Sequence, residues 1–132
     1  MSTAMMYYLA WHEDDWLDEV LDRFPEVNAL VPTVKTFEML AEQRQSGEVT
    51  RAVLVLNAAE EQERCRAFLQ LCLEHEQLSS DPLYIVGLKP EEEEAWREAY
   101  PTAKIIVITG FAVEFDYDAV LARMESDLEG AN

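Results

Sequence analysis

Ala52-Val53-Leu54-Val55-Leu56-Asn57 is the stretch that decides how this chain folds. The five residues before Asn57 are all apolar, with no polar residue alternating between them. A run this short is strand-length, and without alternation it predicts burial on both faces. Leu83-Tyr84-Ile85-Val86 and Ile105-Ile106-Val107-Ile108 repeat the pattern. Strands of that kind belong to parallel sheets whose two faces are covered by helices. Upstream, Met5-Met6-Tyr7-Tyr8-Leu9-Ala10-Trp11 supplies a first strand, and Val27-Asn28-Ala29-Leu30-Val31, closed by Pro32, a second.

Amphipathic stretches separate these runs. Trp16, Leu17, Val20, Leu21 and Phe24 recur at helical spacing, with Asp18, Glu19, Asp22 and Arg23 opposite, and Pro25 ends the helix. Phe37, Leu40, Ala41 and Arg44 mark a second helix, with Gly47 where a C-terminal cap is expected. Cys65, Phe68, Leu69 and Cys72 form the inward stripe of a third. Ser79-Ser80-Asp81-Pro82 is the strongest turn signal. Pro90 can open the next helix, since its missing N–H is not needed at the first helical position, and Pro101 stops it. Val120, Leu121, Met124 and Leu128 mark the last. Five strands alternating with five helices predict an α/β fold, a (βα)5 doubly wound sandwich around a parallel sheet of order 2-1-3-4-5. No linker or repeat interrupts the 132 residues, so a single domain over residues 1–132 is expected.

Charge and composition narrow the function. Twenty-seven Asp and Glu against 10 Lys and Arg leave a formal net charge of −17, which repels a phosphate backbone and disfavours direct nucleic-acid binding. No segment nears the ~20 apolar residues that span a bilayer, and Met1 to Tyr8 lack a basic leader. Cys65 and Cys72, seven positions apart on one helix, are about 10 Å apart along its axis. That is too far for a disulfide, so reduced thiols and a cytoplasmic address are expected. Cys72 and His75 share a helix face, but no fourth zinc ligand accompanies them, and core packing accounts for the cysteines. Gly47, Gly87, Gly110 and Gly130 are isolated, so no phosphate-cradling loop is present. His12 has no partnered Ser or Cys in a nucleophilic motif.

In a doubly wound sheet, ligands bind beyond the carboxyl ends of the strands where strand order reverses. Here that crevice falls between the first and third strands, lined by His12, Glu13, Asp14 and Asn57. Glu13 and Asp14 are the side chains that could hold a hard ion such as Mg²⁺; otherwise they are solvated groups capping the first helix. No organic cofactor is expected.

Five βα units in this length, with His12-Glu13-Asp14-Asp15 directly after the first strand, resemble a response-regulator receiver domain of flavodoxin-like fold. The resemblance implies an acidic pair holding Mg²⁺, a phosphoryl-accepting Asp ending strand 3, a Ser or Thr ending strand 4 and a Lys ending strand 5. Asn57, Gly87 and Thr109-Gly110-Phe111 stand at those last three places. Lys89-Pro90 is similar to the family's Lys-Pro pair but follows strand 4, and Tyr100-Pro101-Thr102-Ala103-Lys104 resembles a lead into strand 4 but precedes strand 5. A carboxamide cannot form an acyl phosphate, so the resemblance implies a degenerate pseudo-receiver, not an enzyme. Its degenerate site would comprise His12, Glu13, Asp14, Asn57, Gly87 and Thr109. Such a module acts by protein–protein contact, in two-component signalling or regulation, alone, as a homodimer or in trans. Its docking face would be the fourth and fifth helices with strand 5, anchored by Trp96, Tyr100, Phe111, Phe115 and Tyr117.

Two other classes stand beside it. The acidity suits an inhibitor or immunity-type protein that neutralises a basic partner, as well as plain solubility or a high-salt cytoplasm. A small flavodoxin-like ligand binder or enzyme would use the crevice near Trp11 and Asn57.

Overall fold

In the computed structural model, residues 3–24, 26–108 and 115–129 are described. Pro25, Thr109, Gly110 and Phe111 lie outside them. The strands are β1 (Ala4–Leu9), β2 (Val27–Leu30), β3 (Arg51–Asn57), β4 (Leu83–Val86) and β5 (Lys104–Ile105). The helices are α1 (Asp15–Arg23), α2 (Val34–Ser46), α3 (Gln62–Glu74), α4 (Glu93–Ala99) and α5 (Tyr117–Glu129). All four strand pairings are parallel, in the expected order β2-β1-β3-β4-β5.

The unbroken apolar runs divide by parity across the sheet, because successive side chains point to opposite faces. Tyr7 and Leu9 of β1, with Leu54 and Leu56 of β3, pack under α2, α3 and α4 through Leu40, Phe68, Leu69 and Trp96. Met6 and Tyr8, with Val53 and Val55, pack under α1 and α5 through Trp16, Val20, Leu121 and Met124. Both cysteines are free and buried in the α3 layer. None of the described helices is long and apolar enough to cross a membrane.

Several local expectations shift. Pro90 opens a 3₁₀ turn over Pro90–Glu92, where Glu92 accepts the Lys89 N–H at 3.0 Å before α4 begins. β5 is shorter than the apolar run Ile105–Ile108. Ile106 still donates to the Ile85 carbonyl at 2.9 Å. Beyond that point β4 ends at Val86, and Gly87 turns away in the left-handed region at φ 84°. The edge strand has no further ladder to pair with.

Candidate functional site

Three elements meet beyond the carboxyl ends of β1 and β3. Asp14 is the N-cap of α1, its Oδ1 accepting the Leu17 N–H at 3.0 Å, so helix capping fixes its side chain. Asn57 is the last residue of β3 and the one buried polar side chain among the described residues, 5% exposed. Tyr8 reaches them from the middle of the sheet.

These side chains form a closed hydrogen-bond triangle. The Tyr8 hydroxyl donates to Asp14 Oδ1 at 2.6 Å, Asn57 Nδ2 donates to Asp14 Oδ2 at 2.6 Å, and the same Nδ2 lies 3.1 Å from the Tyr8 hydroxyl oxygen. Asn57 Oδ1 accepts the Ala59 N–H at 2.9 Å, tying the start of the β3–α3 loop to the same group. Burial, then the Asp14 hydrogen bond, push the Tyr8 phenol far above its ordinary range, so it remains a neutral donor. Gly87 closes the remaining side. A Cβ there would collide with the Asn57 carboxamide, standing 2.8 Å from its Cγ, and would sit at a backbone angle that side chains rarely adopt.

Of the residues expected to share a site, the structure brings Asp14, Asn57 and Gly87 together. His12 and Glu13 are exposed and line an open groove of about 450 Å³ with Tyr8, Trp11 and Leu17. Thr109 lies outside the described residues. Tyr8 was not singled out from the sequence, because it stands inside a continuous apolar run where nothing distinguishes its hydroxyl.

The two carboxylates that could hold Mg²⁺ are engaged differently. Asp14 turns both oxygens onto protein donors, while Glu13 is exposed beside the groove. Among the described residues no group of three or more His, Cys, Asp or Glu could hold a metal ion.

The aromatic docking anchors also need correcting. Trp96 is 1% and Tyr100 8% exposed, and they pack together at 5.3 Å in the α3–α4 core, so neither is available to a partner. The apolar face of α4 is turned onto the sheet. Arg66 caps the Trp96 ring at 4.2 Å. Phe115 and Tyr117 are half-buried and meet Trp16 edge-on at 5.7 and 4.8 Å, fastening α5 to α1. Phe111 lies outside the described residues.

No protein-family model and no curated protein matches this chain. Among solved structures it is similar to the solution NMR structure of a de novo designed Rossmann 2x3 fold protein. The TM-score is 0.58 and the identity 12%, over 98% of this chain and 92% of that one. At that identity the likeness speaks for the α/β fold alone.

Proposed function

We propose that this chain is a receiver-like module that transfers no phosphoryl group and acts by binding another protein. One observation carries the reading. The place where a receiver bears its phosphoacceptor is filled by the Asn57 carboxamide, buried and hydrogen-bonded through both its nitrogen and its oxygen. Nucleophilic attack on phosphorus needs an accessible carboxylate, and the group at the end of β3 is a buried carboxamide. The hydroxyl expected at the end of β4 is replaced by Gly87, whose lack of a side chain makes room for Asn57. What is left is a phosphotransfer-shaped scaffold whose site has become a structural joint.

Intact-mass measurement after incubation with an acyl phosphate and Mg²⁺ tests this reading. No phosphoryl adduct is expected; a stable adduct on a carboxylate would overturn it. An acidic inhibitor of a basic protein is the second reading, favoured by the net charge of −17 and by the exposed Glu60 and Glu61 after β3 and Glu91 after β4. Both readings require a protein partner, and the second requires a basic one.

A further inference from the structure

The exposed large hydrophobic side chains among the described residues are Leu21, Val31, Val34 and Met39, between 36% and 62% exposed. All four belong to the segments that flank β2: α1, the β2–α2 connection, and α2. β2 is an edge strand, with no described strand on its far side. Its inner ladder reaches Leu30, whose carbonyl accepts the Ala10 N–H at 3.1 Å. Alternation therefore turns the backbone groups of Val27 and Ala29 away from β1, and Ala29 is exposed.

Two hollows continue this surface. The 450 Å³ groove is lined by Ala29, Leu30 and Val31 from the β2 side and by Trp11 and Leu17 from the other. A second hollow of about 230 Å³ is lined by Pro32, Val34, Phe68 and the same Trp11. The rim is acidic. Glu13 lines the groove, and Asp18, Asp22, Glu26 and Glu38 are exposed on the adjoining segments. Lys35, His12 and Arg64 are the opposing groups there; Arg64 lines the second hollow, lies 5.1 Å from the Trp11 ring and pairs with Glu61 at 3.8 Å, while Arg23 is turned to Glu125 of α5 at 3.4 Å.

We propose that the β2 edge, with the groove at Trp11, docks an extended segment of a partner protein in which apolar residues alternate with lysine or arginine. Strand addition would satisfy the outward backbone groups of Val27 and Ala29, with alternate apolar side chains entering the groove. The intervening cations would meet the acidic rim, raising association rate and selectivity. The same charges disfavour a second copy of this chain, since pairing β2 with itself would bring two copies of the acidic rim together. This deepens the protein-binding reading above and rests on it for the existence of a protein partner.

The test is amide NMR of the ¹⁵N-labelled intact chain, titrated with a capped Val/Lys-alternating peptide of roughly eight residues, an ordinary strand length. Shifts are expected at the Ala29 and Val31 amides and the Trp11 indole, with slowed exchange of the Val27 and Ala29 protons. A Val/Glu peptide and a Val/Lys peptide interrupted by prolines should leave these signals in place. Ala29→Pro, which removes an outward donor, should weaken the Val/Lys peptide about five- to tenfold, as expected for one lost hydrogen bond with its local packing. Val34→Ser, a surface change that leaves the fold intact, should weaken it severalfold if Ala29→Pro does not fold.

Four results would overturn the docking site. They are no β2 shift at millimolar Val/Lys peptide, equal binding of the Val/Glu peptide, shifts confined to α4 and α5, or β2 shifts that follow the concentration of the chain alone. The third leaves the protein-binding reading standing without this site, and the fourth makes a second copy the occupant. Phosphorylation in the mass measurement would remove the pseudo-receiver reading without touching the β2 result.

Discussion

The carboxamide of Asn57 and the carboxylate of Asp14 meet at 2.6 Å across the ends of β3 and α1, with the Tyr8 hydroxyl completing the triangle. A charge-assisted hydrogen bond in a largely buried setting is among the stronger contacts available to a fold. It joins the first βα loop to the third. Asp14 and Asn57 are an acid and a donor that satisfy each other directly.

Asn57→Asp should therefore destabilise the protein. The variant loses both donor contacts and sets a second carboxylate against Asp14, for a loss of about 2–3 kcal/mol near neutral pH. Two carboxylates so placed bind one proton more tightly folded than unfolded, so the folded pKa of the pair is raised. The deficit relative to the parent should grow as pH rises through that value and shrink below the ordinary carboxylate range. Urea melts at pH 5 and pH 7 measure it, and an equal deficit at both would contradict the electrostatic account.

Gly87→Ala should be harmful for two separable reasons. The left-handed backbone at φ 84° costs a side chain about 1–2 kcal/mol, and overlap with the Asn57 carboxamide adds about 1–3 kcal/mol. Repeating Gly87→Ala in an Asn57→Gly background removes only the overlap. A double-mutant cycle by chemical denaturation should show strong non-additivity; simple addition would mean that the two residues do not press on each other.

Much of the fold was legible because Ala52 to Leu56 of β3 and all of β4 are apolar, and only burial on both faces explains such runs. The short polar-flanked β2 was legible for its place between two helices rather than for its own composition. Asp14 and Asn57 were legible as neighbours, since strand order alone brings the first and third loops together. Tyr8 was not: which of two adjacent tyrosines turns its hydroxyl to Asp14 depends on strand parity relative to α1, and Tyr7 reaches Gln43 on the opposite face instead. The fate of Trp96 was hidden similarly. A seven-residue helix offers too little periodicity to say which side lies on the sheet.

High pH should unfold the protein through its buried tyrosines. Burial, with nearby carboxylates, pushes Tyr7 up to about 12 and moves Tyr8 and Tyr84 further in the same direction. A folded pKa above the unfolded value of 10.0 means that the stabilisation is present below pH 10 and lost as pH rises through the folded values. Thermal melts from pH 8 to 12 should show Tm falling beyond pH 10, and Tyr8→Phe should flatten part of the fall. Because Tyr8→Phe also strips Asp14 Oδ1 of one donor, it should lower stability at pH 7 by about 1–2 kcal/mol.

At the opposite end of the sheet, Asp127 near the close of α5 accepts from the Tyr84 hydroxyl at 2.5 Å and from Lys104 Nζ at 2.8 Å, while Arg51 Nε donates to its carbonyl at 2.6 Å. Burial alone would raise this carboxyl, but the Lys104 and Tyr84 hydrogen bonds outweigh it and hold the pKa below 3.8. A lowered folded pKa places the stabilisation above the unfolded value, to be lost as pH falls through the folded one. Asp127→Asn should thus weaken the attachment of α5 at neutral pH and flatten the acid limb of the stability profile below pH 3.8, the unperturbed carboxyl value. Hydrogen exchange gives the local readout: amides in the last turns of α5 should exchange faster in the variant while those of β3 are unchanged. Uniform acceleration across both elements would show that the network supports the whole domain rather than this helix.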